Sequence, residues 1–258
     1  MAGRLSEQVA IVTGGASGIG RACVQSLLRE DARVLFTDIV ADAGEQALGQ
    51  LEAGARAVFL AGDVTEPRDC AAAAAGALER WGRIDILVGN AGLQASGTLL
   101  ESTVQDWKTT LSVNLLGLAW SIQAVLPAMQ RSGGAIVAVS SINALTGFPG
   151  MAAYDAAKAG VLALVRHVAV EYGRCGIRAN AVCPGATITD FHLRRAAVGG
   201  VDAATLRASM HGYGLLGRAA EPHEIASAIT FLAGPEASFI TGQALAVDGG
   251  VTATGASR

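Results

Sequence analysis

A doubly wound α/β fold, in which a parallel sheet is covered by helices on both faces, is predicted by three observations. Seven short runs are apolar on both faces, near 8–13, 33–37, 57–62, 85–89, 135–139, 177–182 and 243–247, as strands buried on two sides require. Helical patterns alternate with them near 18–30, 42–53, 67–80, 104–131, 152–173 and 221–234, so strand, helix and strand follow one another as crossovers. The first run opens into a glycine-rich turn, VAIVTGGASGIG (9–20), which leads at once into the helical RACVQSLLRE.

In that turn Gly14, Gly18 and Gly20 supply a tight bend, a close backbone approach and close helix packing. A pyrophosphate seated at a helix N-terminus needs all three, although the spacing here is GxxxGxG rather than GxGxxG. Taken alone, the glycines fit a purely structural turn equally well. The second run, RVLFTD, closes on Asp38, eighteen residues after Gly20. Its carboxylate either accepts hydrogen bonds from both hydroxyls of an adenosine ribose and repels a 2′-phosphate, or caps the helix that begins near Ala41. The third helix has Pro67 in its first turn and runs through AAAAAGAL (71–78) to Trp81, an alanine-rich helix rather than a low-complexity tract. One domain is expected over 1–258, with no linker and no internal repeat.

Ser141, Tyr154 and Lys158 carry the chemistry. Tyr154 and Lys158 stand four apart in AAYDAAKAG, on one face of a helix, with an ammonium beside a phenol. That neighbour favours phenolate. A free tyrosine titrates near ~10, and neutrality is about three units away, or roughly 4 kcal/mol, which the lysine together with a bound cationic nicotinamide is expected to supply. Ser141 follows the apolar strand AIVAV (135–139), thirteen residues before the tyrosine, where its hydroxyl can hold a substrate oxygen against the phenolic proton. A YxxxK pair alone also occurs on ordinary helices; the preceding glycine turn is what marks this one.

Together these motifs resemble the short-chain dehydrogenase/reductase family over nearly the whole chain. Beyond TGGASGIG and YxxxK, the chain has Asp63-Val64 after the third strand, Asn90-Ala91-Gly92 after the fourth, Asn114 within SVNLLG, and Pro184-Gly185 after the sixth. GRAAEPHEIASAITFLAG and ASFITGQALAVDGG are similar to the family's closing segment. The resemblance implies a Rossmann-type seven-stranded sheet and an NAD-dependent oxidoreductase that moves hydride between nicotinamide and a secondary alcohol or ketone. Tyr154 would be its acid and base. Lys158 would hold the nicotinamide ribose and lower the tyrosine pKa, and Asn114 would hold a water on the proton path; a helix-kinking core asparagine is the other reading of Asn114.

The resemblance also implies that Ser17 and Ile19 of the glycine turn, Ile39 beside Asp38, and the Asp63-Val64, Asn90-Ala91-Gly92 and Pro184-Gly185 segments line the cofactor. Ile188 and Thr189 would meet the carboxamide, Thr189 lying five after the proline, with Thr187 its rival. Relatives that use the phosphorylated cofactor tend to carry basic residues where this chain has Ser17, Ile39 and Val40, so NAD is expected. The family usually has two asparagines before Ala-Gly. Here Gly89 precedes Asn90, which is expected to loosen the packing beneath the nicotinamide side.

For substrate, Gln94, Ser96, Ser141, Asn143, Thr146, Phe148 and Met151 are expected to form a mixed wall suited to a small sugar, polyol or hydroxy acid. A substrate lid is expected near 187–216. Within it the pair Arg194-Arg195 either meets a carboxylate or forms a solvated face. NAGLQ resembles 3-hydroxybutyrate dehydrogenases, yet the lysine and histidine expected beside the serine are Gly150 or Met151 and Asn143. The alternatives are a 3-oxoacyl thioester reductase, for which only Arg131, Arg166 and Arg174 suggest a basic patch, and a catalytically silent NAD-binding regulator. The intact Ser–Tyr–Lys–Asn set argues against the latter. A homotetramer is implied, with apolar residues such as Trp107, Leu111, Leu115, Leu118, Trp120, Val161, Leu164 and Val168 on the helices near 104–131 and 152–173, and AVDGGVTATGASR at a second interface.

With 258 residues, 51% of them hydrophobic, and a mean hydropathy of +0.41, the chain can bury a large core. A net charge of −3 without a basic cluster leaves no footprint for nucleic acid. No apolar run approaches the ~18 residues needed to span a bilayer, and MAGRLSEQVAIVTGG lacks the pattern of a signal peptide, so a cytoplasmic protein with a small-molecule substrate and no membrane partner is expected. Cys23, Cys70, Cys175 and Cys183 lack C-x-x-C spacing, and His167, His192, His211 and His223 form no ligand pattern. Free thiols and no metal site are expected.

Overall fold

The computed structural model of the chain describes residues 3–210 and 212–253, without the side chains of Phe191 and Arg195. His211 and residues 254–258 of the C-terminal segment therefore lie outside the described residues. Strands β1 (Val9–Thr13), β2 (Arg33–Asp38), β3 (Ala57–Ala61), β4 (Ile86–Gly89), β5 (Gly134–Val139), β6 (Ile177–Pro184) and β7 (Ala244–Val247) form one sheet in the order β3-β2-β1-β4-β5-β6-β7. Every neighbouring pair is parallel, and the register sets Ile11 between Leu35 and Leu87. The strand order reverses between β1 and β4, so the crevice for a ligand opens outside their carboxyl ends.

The helices are α1 (Gly18–Arg29), α2 (Ala41–Gly49), α3 (Pro67–Trp81), α4 (Val104–Leu111), α5 (Gly117–Ser132), α6 (Ala152–Tyr172), α7 (Asp190–Val198), α8 (Ala203–Ser209) and α9 (Pro222–Ala233). On one face of the sheet α1, α2 and α9 bury Leu27, Ala47 and Ile225 against Val12, Phe36 and Val137. On the other, α3, α5 and α6 bury Ala77, Ile122 and Val165 against Ile11, Leu87 and Ile136. Removing this much apolar surface from water on both faces stabilises the layers.

Three features differ from the sequence expectation. Residues 104–131 form two α-helices joined by a π turn at Ser112–Leu116, because the Asn114 amide reaches back to the Thr110 carbonyl (3.1 Å) and across to Leu93. Residues 187–216, expected as a lid, contain α7 and α8, too short for an apolar period to register in the sequence; Asp202 caps α8 by accepting from Thr205 N at 2.7 Å. The continuous stretch Val104–Ser132 is, by length and composition, apolar enough to cross a membrane, although no single apolar run is. Its Leu118, Ile122, Val125 and Met129 are buried in the core.

The Gly89 expectation is overturned. A Cβ at Gly89 would meet Leu118 Cδ1 at 2.3 Å, so the leucine fills the space that a side chain there would take, and the packing is tight rather than loose.

Candidate active site

The β1–α1 turn is shaped by its glycines. Gly14 and Gly18 have φ of +64° and +52°, in the left-handed region that favours glycine. A Cβ at Gly20 would lie 2.0 Å from Gly14 O and 2.5 Å from Asn90 Nδ2. Asn90 in turn donates to Thr13 O and Gly14 O at 3.0 and 2.9 Å, and Thr13 Oγ1 accepts from Asn90 N at 3.0 Å. The turn after β1 and the turn after β4 are thus one unit. Ser17, at the N-cap of α1, makes no side-chain cap, which leaves the helix N-terminus suited to an anion. Gly18 N already donates to a carboxylate, Asp190 Oδ2 at 2.8 Å, which Arg21 also contacts.

Two adjoining cavities lie along this edge, of about 430 and 660 Å³. Both are lined by Ser17, Ile19, Asn90, Gly92, Leu93 and Thr189; the smaller adds Gly14, Gly18, Asp38, Ile39, Asp63, Val64 and Ala91. Asp38 accepts from Ala16 N and from Val40 N, both at 3.1 Å. It bonds the N-cap residue of α2 and no amide within its first turn, and its carboxylate stands at the cavity edge. The cradle fits a dinucleotide: a helix N-terminus that its own N-cap residue leaves open in the middle and a carboxylate at one end. At the other end is a glycine, Gly92, whose Cβ would come within 2.8 Å of Asn114 Oδ1 and 3.4 Å of Lys158 Nζ.

The larger cavity brings together Asn114, Ser141, Tyr154 and Lys158. Lys158 is fully buried, donates from Nζ to Val139 O at 3.0 Å, and lies 5.7 Å from the centre of the Tyr154 ring. Burial pushes its pKa from 10.5 down to about 8. Tyr154 is raised, not lowered: burial pushes the phenol up, hydrogen bonding with Ser141 pulls it down by less, and the Asp155 charge adds to the rise. The lowering expected from Lys158 together with a bound cationic nicotinamide is thus not present in the protein by itself: the ammonium is turned to a backbone carbonyl, and desolvation dominates at the phenol.

Ser141 Oγ donates to Asn143 Oδ1 at 3.1 Å. Asn114 spends both amide hydrogens on Leu93 O and Thr110 O and accepts from Leu93 N at 3.2 Å. Its side chain shapes the π turn, as the helix-kinking reading expects, and also faces the cavity.

Of the expected substrate residues, Gln94, Asn143, Phe148 and Met151 line the larger cavity, while Ser96 and Thr146 do not. Pro184, Gly185 and Thr187 reach it, Thr187 giving its hydroxyl to Gly185 O. Ile188 does not: it is buried, and its N–H bonds Ala220 O at 2.9 Å. Thr189 Oγ1 lies 2.8 Å from His192 Nδ1. Sequence reasoning missed His192, Met210 and Tyr213 on this wall; a lid helix beginning at Asp190 would have placed His192 one turn beyond Thr189. Cys23, Cys70, Cys175 and Cys183 are unpaired, and no metal-ligating cluster occurs among the described residues.

This constellation is that of a nicotinamide-dependent oxidoreductase, and comparison with known proteins agrees. A family model described as enoyl-(acyl carrier protein) reductase matches residues 14–252. The chain is 42% identical to cis-4-hydroxycyclohexanecarboxylate dehydrogenase of Sinomonas cyclohexanicum over 96% of this chain and 98% of that one. It is 38% identical to the trans-4-hydroxycyclohexanecarboxylate dehydrogenase of the same organism, over 97% and 95%. A crystal structure of an oxidoreductase of the short-chain dehydrogenase/reductase family from Burkholderia thailandensis superposes with a TM-score of 0.86 at 36% identity, over 96% and 93%. The chain belongs to the short-chain dehydrogenase/reductase family. It is an enzyme that acts on CH–OH groups.

Proposed function

We propose that the enzyme uses NAD to interconvert a small polar secondary alcohol and its ketone. The observation that carries this is the meeting of Ser141, Tyr154 and Lys158 on one wall of the cavity that continues into the glycine turn. A nicotinamide bound there supplies or accepts the hydride. Tyr154 donates the proton to the carbonyl oxygen in reduction and takes it from the alcohol in oxidation, while Ser141 orients that oxygen. Ser17, Ile19, Gly92 and Thr189 hold the cofactor between the two cavities, and Lys158 holds its nicotinamide ribose. The polar groups of Gln94 and Asn143 beside Phe148 and Met151 suit a substrate with an apolar body and polar substituents. The cyclic hydroxycarboxylates named for two relatives are of that kind.

The test is a panel of sugars, polyols, hydroxy acids, cyclic alcohols and 3-oxoacyl thioesters, followed by absorbance of the reduced cofactor. Tyr154→Phe should lower kcat by several orders of magnitude on any active substrate and leave cofactor affinity unchanged. A variant retaining more than about a tenth of kcat would remove the acid–base role. Activity confined to thioesters would favour the acyl-reductase alternative.

The NAD preference rests on Asp38, a carboxylate beside the neutral Ser17 and Ile39. If repulsion of a 2′-phosphate contributes about 3 kcal/mol, kcat/KM should favour NAD over NADP by roughly a hundredfold. Asp38→Ala should relax it by admitting NADP, and equal values in the wild type would sink this reading. A homotetramer and a cytoplasmic setting complete the proposal; the unpaired cysteines accord with a reducing compartment.

A further inference from the structure

Asp155 follows the reactive tyrosine directly and lies behind Ser141. Its Oδ1 accepts from Asn143 Nδ2 at 2.6 Å, and its Oδ2 accepts from Phe148 N at 3.0 Å. A carboxylate accepts only, so it fixes which end of the Asn143 amide faces it. The amide oxygen is left to face Ser141 and takes its hydroxyl proton at 3.1 Å, while Asn143 N–H donates back to Ser141 Oγ at 3.2 Å.

We propose that Asp155 is a positioning residue: by holding the Asn143 amide it commits the Ser141 proton to Asn143, so that the serine can donate to Tyr154 only by giving up that bond. The proposal rests on the reading of this site as an alcohol–ketone proton-transfer centre. Tyr154 then starts as phenol, the form that protonates a ketone, and must be deprotonated before it can take a proton from an alcohol.

The charged and titratable surroundings of Tyr154 make Asp155 the relevant acid. Lys158 lies on the same helix, Cys183 of β6 stands beside Lys158, and His192, Arg194 and Tyr213 line the cavity opposite. Asp248 acts on Cys183 and Tyr213, while the Asp155 charge acts at the phenol.

In Asp155→Asn a definite rearrangement is expected. The substituted amide offers one acceptor, which Phe148 N–H claims, and its NH₂ faces Asn143. The Asn143 amide turns over, its NH₂ meets Ser141 Oγ, and the serine proton is released toward Tyr154. The lost charge and the turned serine both favour phenolate, so their effects add.

Tyr154 can be titrated without substrate or cofactor by phenolate absorbance, taken as the difference between each protein and its Tyr154→Phe counterpart; the chain has only 3 tyrosines. In Asp155→Asn the midpoint should fall by roughly half a unit or more. The exchange Asn143→Asp with Asp155→Asn returns a pure acceptor to Ser141 and should bring the midpoint back to the wild-type value or above. Asn143→Ala keeps the Asp155 charge but removes the acceptor, so it should also lower the midpoint; it serves in place of Asp155→Asn if that variant does not fold.

With an active substrate, the acidic limb of the pH profile for alcohol oxidation should move in parallel with the titration. Coincident midpoints for wild type, Asp155→Asn and Asn143→Ala would overturn the proposal, as would a shift that the exchanged pair does not reverse, since charge alone would then explain it. Absence of turnover in the wild type would instead overturn the reading of the site, and the titration would still decide the role of Asp155.

Discussion

Lys158 is the residue whose chemistry most depends on its surroundings. An ordinary lysine is charged below about 10.5, but this one is fully buried, with Val139 O as its hydrogen-bond acceptor, and its pKa is pushed down to about 8. Between those values the unfolded chain holds a proton that the native lysine has released, so stability rises with pH from about 8 toward 10.5. Below about 8 both states are charged and the full cost of burying the ammonium is present, on the order of 3 kcal/mol at ~1.4 kcal/mol per unit. Lys158→Met should therefore raise unfolding free energy at pH 7 by roughly 1–3 kcal/mol, the bond to Val139 O being its loss. The advantage should shrink as pH rises above about 8. Urea unfolding of both proteins across that range tests it; a gap that widens with pH would mean the lysine is not desolvated. The Ser–Tyr–Lys set was legible in the sequence because residue type and an i, i+4 spacing define it. The direction of the Tyr154 shift was not, because it arises chiefly from burial, which exists only once β5 and α6 have met.

At the scale of elements, Asp190 ties α7 to the glycine turn before α1. Asp190, the first of α7, accepts from Gly18 N at the start of α1 and pairs with Arg21 at 3.3 Å. Both side chains of the pair are partly exposed, so the ion pair adds little to global stability, within about 1 kcal/mol. Its effect is local. Asp190→Ala should leave the unfolding midpoint nearly unchanged and speed amide hydrogen exchange at Gly18 and through α7. Unchanged exchange at both places would show that α7 is held by its other contacts. Neither α7 nor α8 was foreseen, since nine and seven residues with mixed polarity give too little pattern to read. The strands were, because a run such as VAIVT, all five residues buried, has no solvent face to confuse with a helix. The π turn escaped for another reason: a mid-helix asparagine does not say in sequence which carbonyls it will reach.

At the scale of the whole molecule, the two cores leave α4, α5 and α6 only partly covered. Leu118, Val161 and Val168, which the sequence suggested for an interface, are buried within the chain itself, whereas Trp107, Leu111, Leu115, Trp120 and Leu164 are half-buried and Leu116 and Val170 exposed. The outward positions of α6 include Ala156, Ala159 and Ala163, all exposed. Small side chains there would let the same face of a second copy approach closely, and a self-complementary contact of this kind produces closed symmetry. With the second interface expected at the C-terminal AVDGGVTATGASR segment, light scattering at micromolar concentration should report a homotetramer. Ala163→Arg places a charge on that face without touching the cavity, where the nearest α6 members are Tyr154 and Lys158. In an assembly built on α6 it should reduce the measured mass to that of a smaller species, because a desolvated unpaired charge opposes burial. In a monomer an exposed alanine-to-arginine change is nearly silent, within about 0.5 kcal/mol. A wild type that scatters as a monomer would remove the tetramer altogether. A variant that keeps the full mass would move the interface to another face of the molecule.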